Sequence, residues 1–214
     1  RYLLRPAPPE FTRRYPLIEL DLRLNDRIVD LVAERVDVAL RVGPIRQAGL
    51  AARRVSQVNI VTCAAPAYLQ DHGEPKTPDE LREHRLVGLT SPSGAPPEWT
   101  FPPPYTPKRL GLKFSMLFNS AEAPIIAATA GLGIAHTGDL LVAEYVGRGE
   151  LKLILEDFVM PGPPISLVYP SAGHQLAKVR VFSDFAADLL LRWNEVVRRW
   201  IKQPSRRPNP VPAA

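Results

Sequence analysis

The chain has 214 residues, 45% of them hydrophobic and 23% charged, which is enough for one large or two small folded cores. Its apolar runs are much shorter than the ~20 residues that cross a bilayer, and the N-terminal sequence lacks the apolar core of a secretion signal. We therefore expect no membrane partner and a cytoplasmic location. The single cysteine, Cys63, has apolar neighbours and is expected to be a buried thiol.

The net charge of +5 is concentrated near the C-terminus. Residues 192–207 contain six basic residues and one acid, whereas the rest of the chain carries equal numbers of each sign. A neutral body lacks the clustered phosphate contacts that drive affinity for DNA. We therefore expect no DNA-reading surface in this chain, and we expect the proline-rich end, residues 204–214, to be disordered.

Hydrophobic patterning predicts alternating strands and helices in the first part of the chain. The predicted elements are a helix over Leu3–Tyr15, an edge strand over Ile18–Leu24, a helix around Ile28–Val32, and strands over Val36–Val42 and Val58–Ala64. A parallel pair of strands needs a crossover connection, which a strand, helix and strand in succession supply. The pattern therefore predicts an α/β sheet covered by helices.

Beyond Pro66 the patterning predicts a second α/β unit. The predicted helices are Ala67–Gly73, Thr77 or Pro78 to Glu83, Ala121–Ala130, Leu140–Glu144 and Leu176–Ile201, and the predicted strands are Leu86–Leu89, Arg109–Phe118, Gly133–His136, Leu151–Leu155 and Ile165–Tyr169. Gly131 is expected to close the Ala121 helix in a left-handed conformation. Seven prolines make Ser91–Pro107 a predicted loop, with Trp99–Phe101 at most a short hairpin strand.

Signatures of common enzymes are missing from the sequence. It contains no GxxxxGK[ST], GxSxG, HExxH or paired CxxC motif. The segment GLGIAH at Gly131–His136 resembles a dinucleotide-binding motif, but it follows a predicted helix instead of opening one. The four histidines are scattered singly. We therefore expect no catalytic residues, no metal and no cofactor.

Polar turns follow three of the predicted strands, where open α/β sheets bind ligands. They are Gly43–Pro44–Ile45, Asn119–Ser120 with Ala121, and His136–Thr137. Ser120 is a natural N-cap, and exposed amides at a helix start favour a carboxylate or a similar anion. Two alternatives stay open. Ser120 only caps a helix, and Thr137 or Asp139 only starts the Leu140–Glu144 helix; His136 is a hydrogen-bonded structural histidine.

Five stretches of the sequence resemble, in this order, the effector-binding domain of LysR-type bacterial transcriptional regulators. They are PEFTRRYPLIELDL, DRIVDLVAERVDVALRVG, APAYLQDHGEPKTPDELREHRLV, FNSAEAPIIAATAGLGIAHTGDLLVAEYVGRGELKLIL and ISLVYPSAGHQLAKVRVFSDF. The resemblance implies the type II periplasmic-binding-protein fold, with two α/β lobes of mixed sheet joined by two crossover strands near 59–64 and 165–169. Lobe I would contain residues 1–62 and 165–203, and lobe II residues 63–164.

The same resemblance implies a sensor, and not an enzyme, that binds a small effector between the lobes. The implied contacts are Gly43, Pro44, Ile45, Thr90, Ser91, Asn119, Ser120, Ala121, His136 and Thr137. The resemblance also implies a homodimer or homotetramer, with subunit contacts through Leu3–Arg14 and Pro124–Ala130. A solute-binding protein for transport and an enzyme on the same fold are the alternatives, although an enzyme would place charged residues on these turns.

Two departures from the family pattern stand out. The N-terminal winged helix-turn-helix that would bind DNA is absent from this chain, as is the first strand of the sensing domain with its polar turn. The second departure is Trp193–Lys202, which prolongs the last helix by about three turns. We expect this extension to pack or to pair.

Overall fold

A computed structural model describes residues 7–24, 29–45, 47–91, 94–171 and 176–202. Its strands are β1 Ala39–Val42, β2 Leu50–Ala64, β3 Leu86–Leu89, β4 Met116–Phe118, β5 Ile134–Gly138, β6 Lys152–Ile154 and β7 Met160–Pro170. Its helices are α1 Ala7–Arg14, α2 Pro66–His72, α3 Pro107–Leu110, α4 Ala123–Thr129, α5 Asp139–Gly147 and α6 Ala177–Lys202, with 3-10 turns at Pro78–Glu83 and Glu156–Phe158. Among these helices none has the length and apolarity needed to cross a membrane.

The described chain forms two compact units. Of the described residues, unit 1 contains those within 7–58 and 163–196, and unit 2 contains those within 59–162 and 197–202. The chain passes from one unit to the other within β2, β7 and α6. The division into lobes 1–62 with 165–203 and 63–164, with a ligand cleft between them, stays a prediction.

Unit 1 is built around an antiparallel strand pair and the helices α1 and α6. Strand β1 pairs with β7 in a register that places Ala39 opposite Val168. Phe11 of α1 is fully buried, and its ring lies 5.1 Å from that of Phe185 on α6. The predicted first helix is confirmed over α1, whereas residues 3–6 lie outside the described part of the chain.

The predicted edge strand at Ile18–Leu24 is wrong. The segment has no strand pairing in the described structure. Ile18 and Leu20 pack against the buried cluster that contains Phe11, whereas Leu22 and Leu24 are 43% and 59% exposed. Alternation reports that one side of a segment is apolar, but a strand also needs a partner to receive its backbone hydrogen bonds.

The predicted helix around Ile28–Val32 is also wrong where the structure describes it. Residues 31–35 form only a turn, in which the Asp30 carboxylate accepts hydrogen bonds from the Val32 and Ala33 amides. Arg35 then adopts a positive φ of 54°, which ends the turn. Ile28 lies outside the described residues. The expected parallel crossover is therefore replaced by the antiparallel β1 and β7 pair.

Unit 2 contains a mixed sheet flanked by helices. Strand β3 pairs in parallel with both β4 and β5, while the C-terminal part of β2 pairs antiparallel with β5 and β6. Buried side chains form two clusters, one around Tyr68, Trp99 and Ile134 and the other around Val61, Ile125 and Val142. The predicted mixed α/β architecture is confirmed here.

Cys63 belongs to the second of these clusters and is completely buried. Burial raises the pKa of its thiol to about 12, so the reactive thiolate is not populated near neutral pH. The prediction of an inert, buried cysteine is confirmed.

The predicted strand at Arg109–Phe118 is wrong except at its end. Its first residues form α3, where the Thr106 hydroxyl accepts the Arg109 amide and Gly111 ends the helix in a left-handed conformation. Only Met116–Phe118 pairs as a strand. A short capped helix forms here instead of a strand, because Thr106 and Pro107 favour a helix start and Gly111 favours a helix end within six residues.

Candidate functional site

The parallel strands of unit 2 bring several predicted ligand residues to one edge of the sheet. Thr90–Ser91 follow β3, Asn119–Ala121 follow β4, and His136–Thr137 lie in the second half of β5. The registers place Leu89 beside Phe118 and Val87 beside Ala135, so the carboxyl ends of the three strands meet. Such an edge is where open α/β sheets bind ligands.

Thr90 and Ser91 hold the main chain at this edge. The backbone amide and the hydroxyl of Thr90 both donate to the Phe118 carbonyl, at 2.7 and 3.0 Å, which ties the end of β3 to the end of β4. The Ser91 hydroxyl accepts the Ala95 amide at 3.1 Å and so closes the turn that opens the proline-rich loop. Both residues therefore shape the edge by local hydrogen bonds.

Ser120 does not cap a helix, contrary to the prediction. Helix α4 begins at Ala123, its N-cap is Glu122, and no side chain caps it. The Ser120 carbonyl accepts the Ala123 amide in a preceding turn. Ser120 is half-buried, its hydroxyl has no hydrogen-bond partner among the described residues, and Asn119 beside it is exposed.

The helix start is a weaker anion site than the sequence indicates. Helix α4 has only seven residues, and an acidic side chain, Glu122, occupies its N-cap position. A short helix offers a small positive end, and the carboxylate opposes a second negative charge there. The N-terminus of α4 therefore gives no support to the expected anionic ligand.

His136 is enclosed by aromatic side chains. Its Nδ1 lies 2.9 Å from the Thr62 hydroxyl, and its ring lies 4.7 Å from that of Phe101 and 5.1 Å from that of Trp99. Its Nε2 is buried without a hydrogen-bond partner in the described structure. Burial lowers the pKa of His136 to about 4, and the Thr100 main chain offsets a smaller part of this effect. The imidazole is therefore neutral at pH 7, as a structural histidine would be.

Thr137 lies next to His136 on the opposite face of β5, because successive strand residues alternate between faces. It is half-buried, and its hydroxyl has no hydrogen-bond partner among the described residues. Ser120 and Thr137 are thus two hydroxyls on this edge that the described fold does not engage.

Gly43–Ile45 follow β1 and belong to unit 1. Gly43 adopts φ 113°, a left-handed conformation that suits glycine, and its amide donates to the Pro164 carbonyl at 2.9 Å. Arg41, two residues before the turn, donates to the Val29 carbonyl and to the Gln47 side chain. No carboxylate pairs with Arg41 in the described part of the chain, so its charge is not neutralised there.

Asp139, predicted only as a possible helix start, has a larger role in this region. The residue is 6% exposed, and its carboxylate accepts the Asn59 side-chain amide at 2.7 Å, the Asn59 backbone amide at 3.2 Å and the Leu140 amide at 2.8 Å. It joins β2 to the first turn of α5. Asp139 and Asn59 are 80 residues apart, so no local pattern indicates their pairing.

Comparison with known proteins identifies the family. The family model described as the LysR substrate binding domain matches residues 1–191. The chain belongs to this family. The resemblance of the five sequence stretches is therefore confirmed. No group of three or more metal-binding side chains occurs in the described residues of this LysR-type chain.

Relatives of this LysR chain carry the names of transcriptional regulators and not of enzymes. It is 32% identical over 199 residues to the uncharacterized HTH-type transcriptional regulator YhjC of Escherichia coli, covering 88% of this chain and 63% of that protein. The regulatory domain of CrgA from Neisseria meningitidis superposes with a TM-score of 0.79 at 30% identity, covering 87% of this chain and 91% of that one.

A full-length relative gives the same fold over part of its length. AphB, the Vibrio cholerae virulence activator, superposes with a TM-score of 0.68 at 26% identity, covering 87% of this chain and 64% of that one. This chain spans 54–63% of the length of the curated relatives that it matches. The type II periplasmic-binding-like fold expected for the sensing domain is confirmed by these neighbours.

Proposed function

We propose that this chain is the ligand-sensing part of a LysR-type transcriptional regulator. A small molecule binds between its two lobes and changes how the intact regulator acts on DNA through an N-terminal helix-turn-helix domain. The family match and the regulator names of the relatives support this reading over a transport protein or an enzyme. The single observation that supports the ligand site is the shared edge of β3, β4 and β5. The Ser120 and Thr137 hydroxyls lie at this edge without hydrogen-bond partners among the described residues.

We propose a small anionic ligand, held by Ser120, Thr137, the Asn119 amide and the turn at Gly43–Ile45. The charge of Arg41 supports an anion, because it lies two residues before that turn and has no acidic partner among the described residues. Hydrogen bonds to charged groups are the stronger ones in proteins. A carboxylate would therefore bind more tightly at such a site than a neutral analogue.

We propose that the ligand acts by shifting a conformational equilibrium in a homodimer or homotetramer. A ligand shifts an equilibrium only as far as its affinities for the two states differ, and the coupling to DNA binding is reciprocal. Helices α1 and α4 are the proposed contacts between subunits. Ile126 on α4 is 56% exposed and Leu132, just beyond that helix, is 40% exposed, which supplies apolar surface for such a contact.

A panel of aromatic acids, amino acids and keto acids, each with a neutral amide analogue, tests the ligand site by thermal shift. We expect at least one acid to raise the melting temperature more than its amide does. Ser120→Ala should weaken the affinity for that acid about fivefold or more, since a hydrogen bond to a charged group is lost.

Ser115→Ala is the matched control for the panel. Ser115 is an exposed serine that precedes β4, whereas Ser120 follows it, so the two residues lie at opposite ends of the same strand. The control should bind the acid as the wild type does. Equal affinities of Ser120→Ala and Ser115→Ala would remove Ser120 from the site, and a panel without any hit would count against the anionic class.

A further inference from the structure

Unit 1 has a separate pocket beside the first two turns of α6. It has a volume of about 190 Å³ and is lined by Arg53, Tyr169, Val179, Arg180, Ser183 and Asp184. None of these residues is among the ten candidate effector contacts. A volume of this size holds about six water molecules, so it suits a ligand of a few heavy atoms and not a drug-sized molecule.

Ser183 gives this pocket an unused hydrogen-bonding group. The side chain is 4% exposed, and its hydroxyl oxygen is buried without a hydrogen-bond partner in the described structure. A serine inside a helix commonly donates to the carbonyl four residues earlier, but this hydroxyl does not. Burying a hydroxyl without a partner is unfavourable, so an occupant of the pocket that accepts its proton would relieve that cost.

The charges around the pocket favour an anion. Arg53 on β2 forms an ion pair of 2.6 Å with Asp184 on α6. Arg180, one turn before Asp184, forms no ion pair with the described residues, which leaves one positive charge in excess at the pocket. A guanidinium presents paired N–H donors that match the geometry of phosphate, sulfate and carboxylate groups.

We propose that this pocket binds a small oxyanion, to which Ser183 donates a hydrogen bond and Arg180 provides the charge. Arg53, held by Asp184, forms the opposite wall from β2. The site is independent of the proposed effector site, because it shares no residue with it. Phosphate, sulfate and short carboxylates share the required chemistry.

Melting temperatures of the 214-residue chain test the proposal. Phosphate, sulfate and acetate are each compared at pH 7 with chloride at equal ionic strength. At least one of the three should raise the melting temperature by about 3 °C at tenfold excess over its dissociation constant. Most of this rise should be lost in both Arg180→Gln and Ser183→Ala.

Two further comparisons separate the site from general ion effects. Arg198→Gln, an exposed change on the same helix outside the pocket, should keep the full rise. In chloride alone Ser183→Ala should melt no lower than the wild type, since it removes a hydroxyl that has no partner. The proposal is overturned if none of the three anions exceeds chloride, or if the rise survives in both Arg180→Gln and Ser183→Ala.

Discussion

Gly133→Ala is expected to lower the free energy of unfolding by about 3 kcal/mol, a typical cost of forcing extra volume into packed structure. A Cβ at this position would lie 2.4 Å from the Arg85 carbonyl oxygen and 3.0 Å from its carbon, and both atoms belong to the backbone. The Arg85 carbonyl also accepts the Ile134 amide at 2.8 Å, at the start of the β3 and β5 pairing. Relieving the clash therefore requires the two strands to separate.

Gly149→Ala is the control for this substitution. Gly149 has a positive φ of 73°, and nothing lies within 4 Å of the Cβ that alanine would add. Its cost should be about 1 kcal/mol, the cost of a left-handed conformation alone. Urea unfolding of the two variants measures the difference, and equal losses would contradict the close approach of Gly133 to Arg85.

Acidification from pH 6.5 to pH 4 is expected to destabilise the wild type by about 3 kcal/mol more than His136→Gln. The folded pKa of His136 is about 4, below its ordinary value of 6.5, because the ring is buried. In this pH window the unfolded chain binds a proton that the folded chain excludes. The stabilising contribution is therefore complete above pH 6.5 and is lost as the pH falls towards 4.

Urea unfolding of the wild type and His136→Gln at several pH values between 7 and 4 measures this effect. Other groups also make stability depend on pH, among them Glu74 and Glu80, whose pKa values are lowered by hydrogen bonds, and His84, whose pKa is lowered by burial. They contribute equally to both proteins, so the difference between the two curves isolates His136. Curves that stay parallel would show that His136 is not a buried neutral group.

Several elements could be predicted from sequence because their signals are local. Helix α6 has a long apolar stripe at helical spacing, and the end of β2 is a run rich in β-branched residues. Neither pattern is typical of a loop. Gly131 adopts φ 75°, and the Gly131 and Leu132 amides bond to the Ala128 and Ala127 carbonyls in a Schellman arrangement. This confirms the predicted left-handed closure of α4, which depends on one glycine at one position.

The predictions are wrong where the structure of a segment depends on a distant partner or on competing local signals. Ile18–Leu24 has the alternation of a strand but no described strand pairs with it. Ser120 has the chemistry of an N-cap, but α4 starts three residues later at Ala123. Patterning reports which side of a segment is apolar, and it does not report which segment will cover that side.

The candidate site was predictable only in part, for the same reason. The carboxyl ends of parallel strands meet at one edge, so the topology alone groups the turns after β3 and β4 with the end of β5. The enclosure of His136 comes from Trp99 and Phe101, which lie in a loop more than 30 residues earlier. A loop of this kind has no periodicity from which its contacts could be inferred.

Amide chemical shifts in an NMR titration test the central claim most directly, with the stabilising acid from the panel added to the labelled chain. The largest changes should fall on the amides of Gly43, Asn119, Ser120 and Thr137, with Ser115 unchanged. Largest changes at Arg180 and Ser183, with the edge of β3, β4 and β5 unmoved, would contradict ligand sensing at that edge.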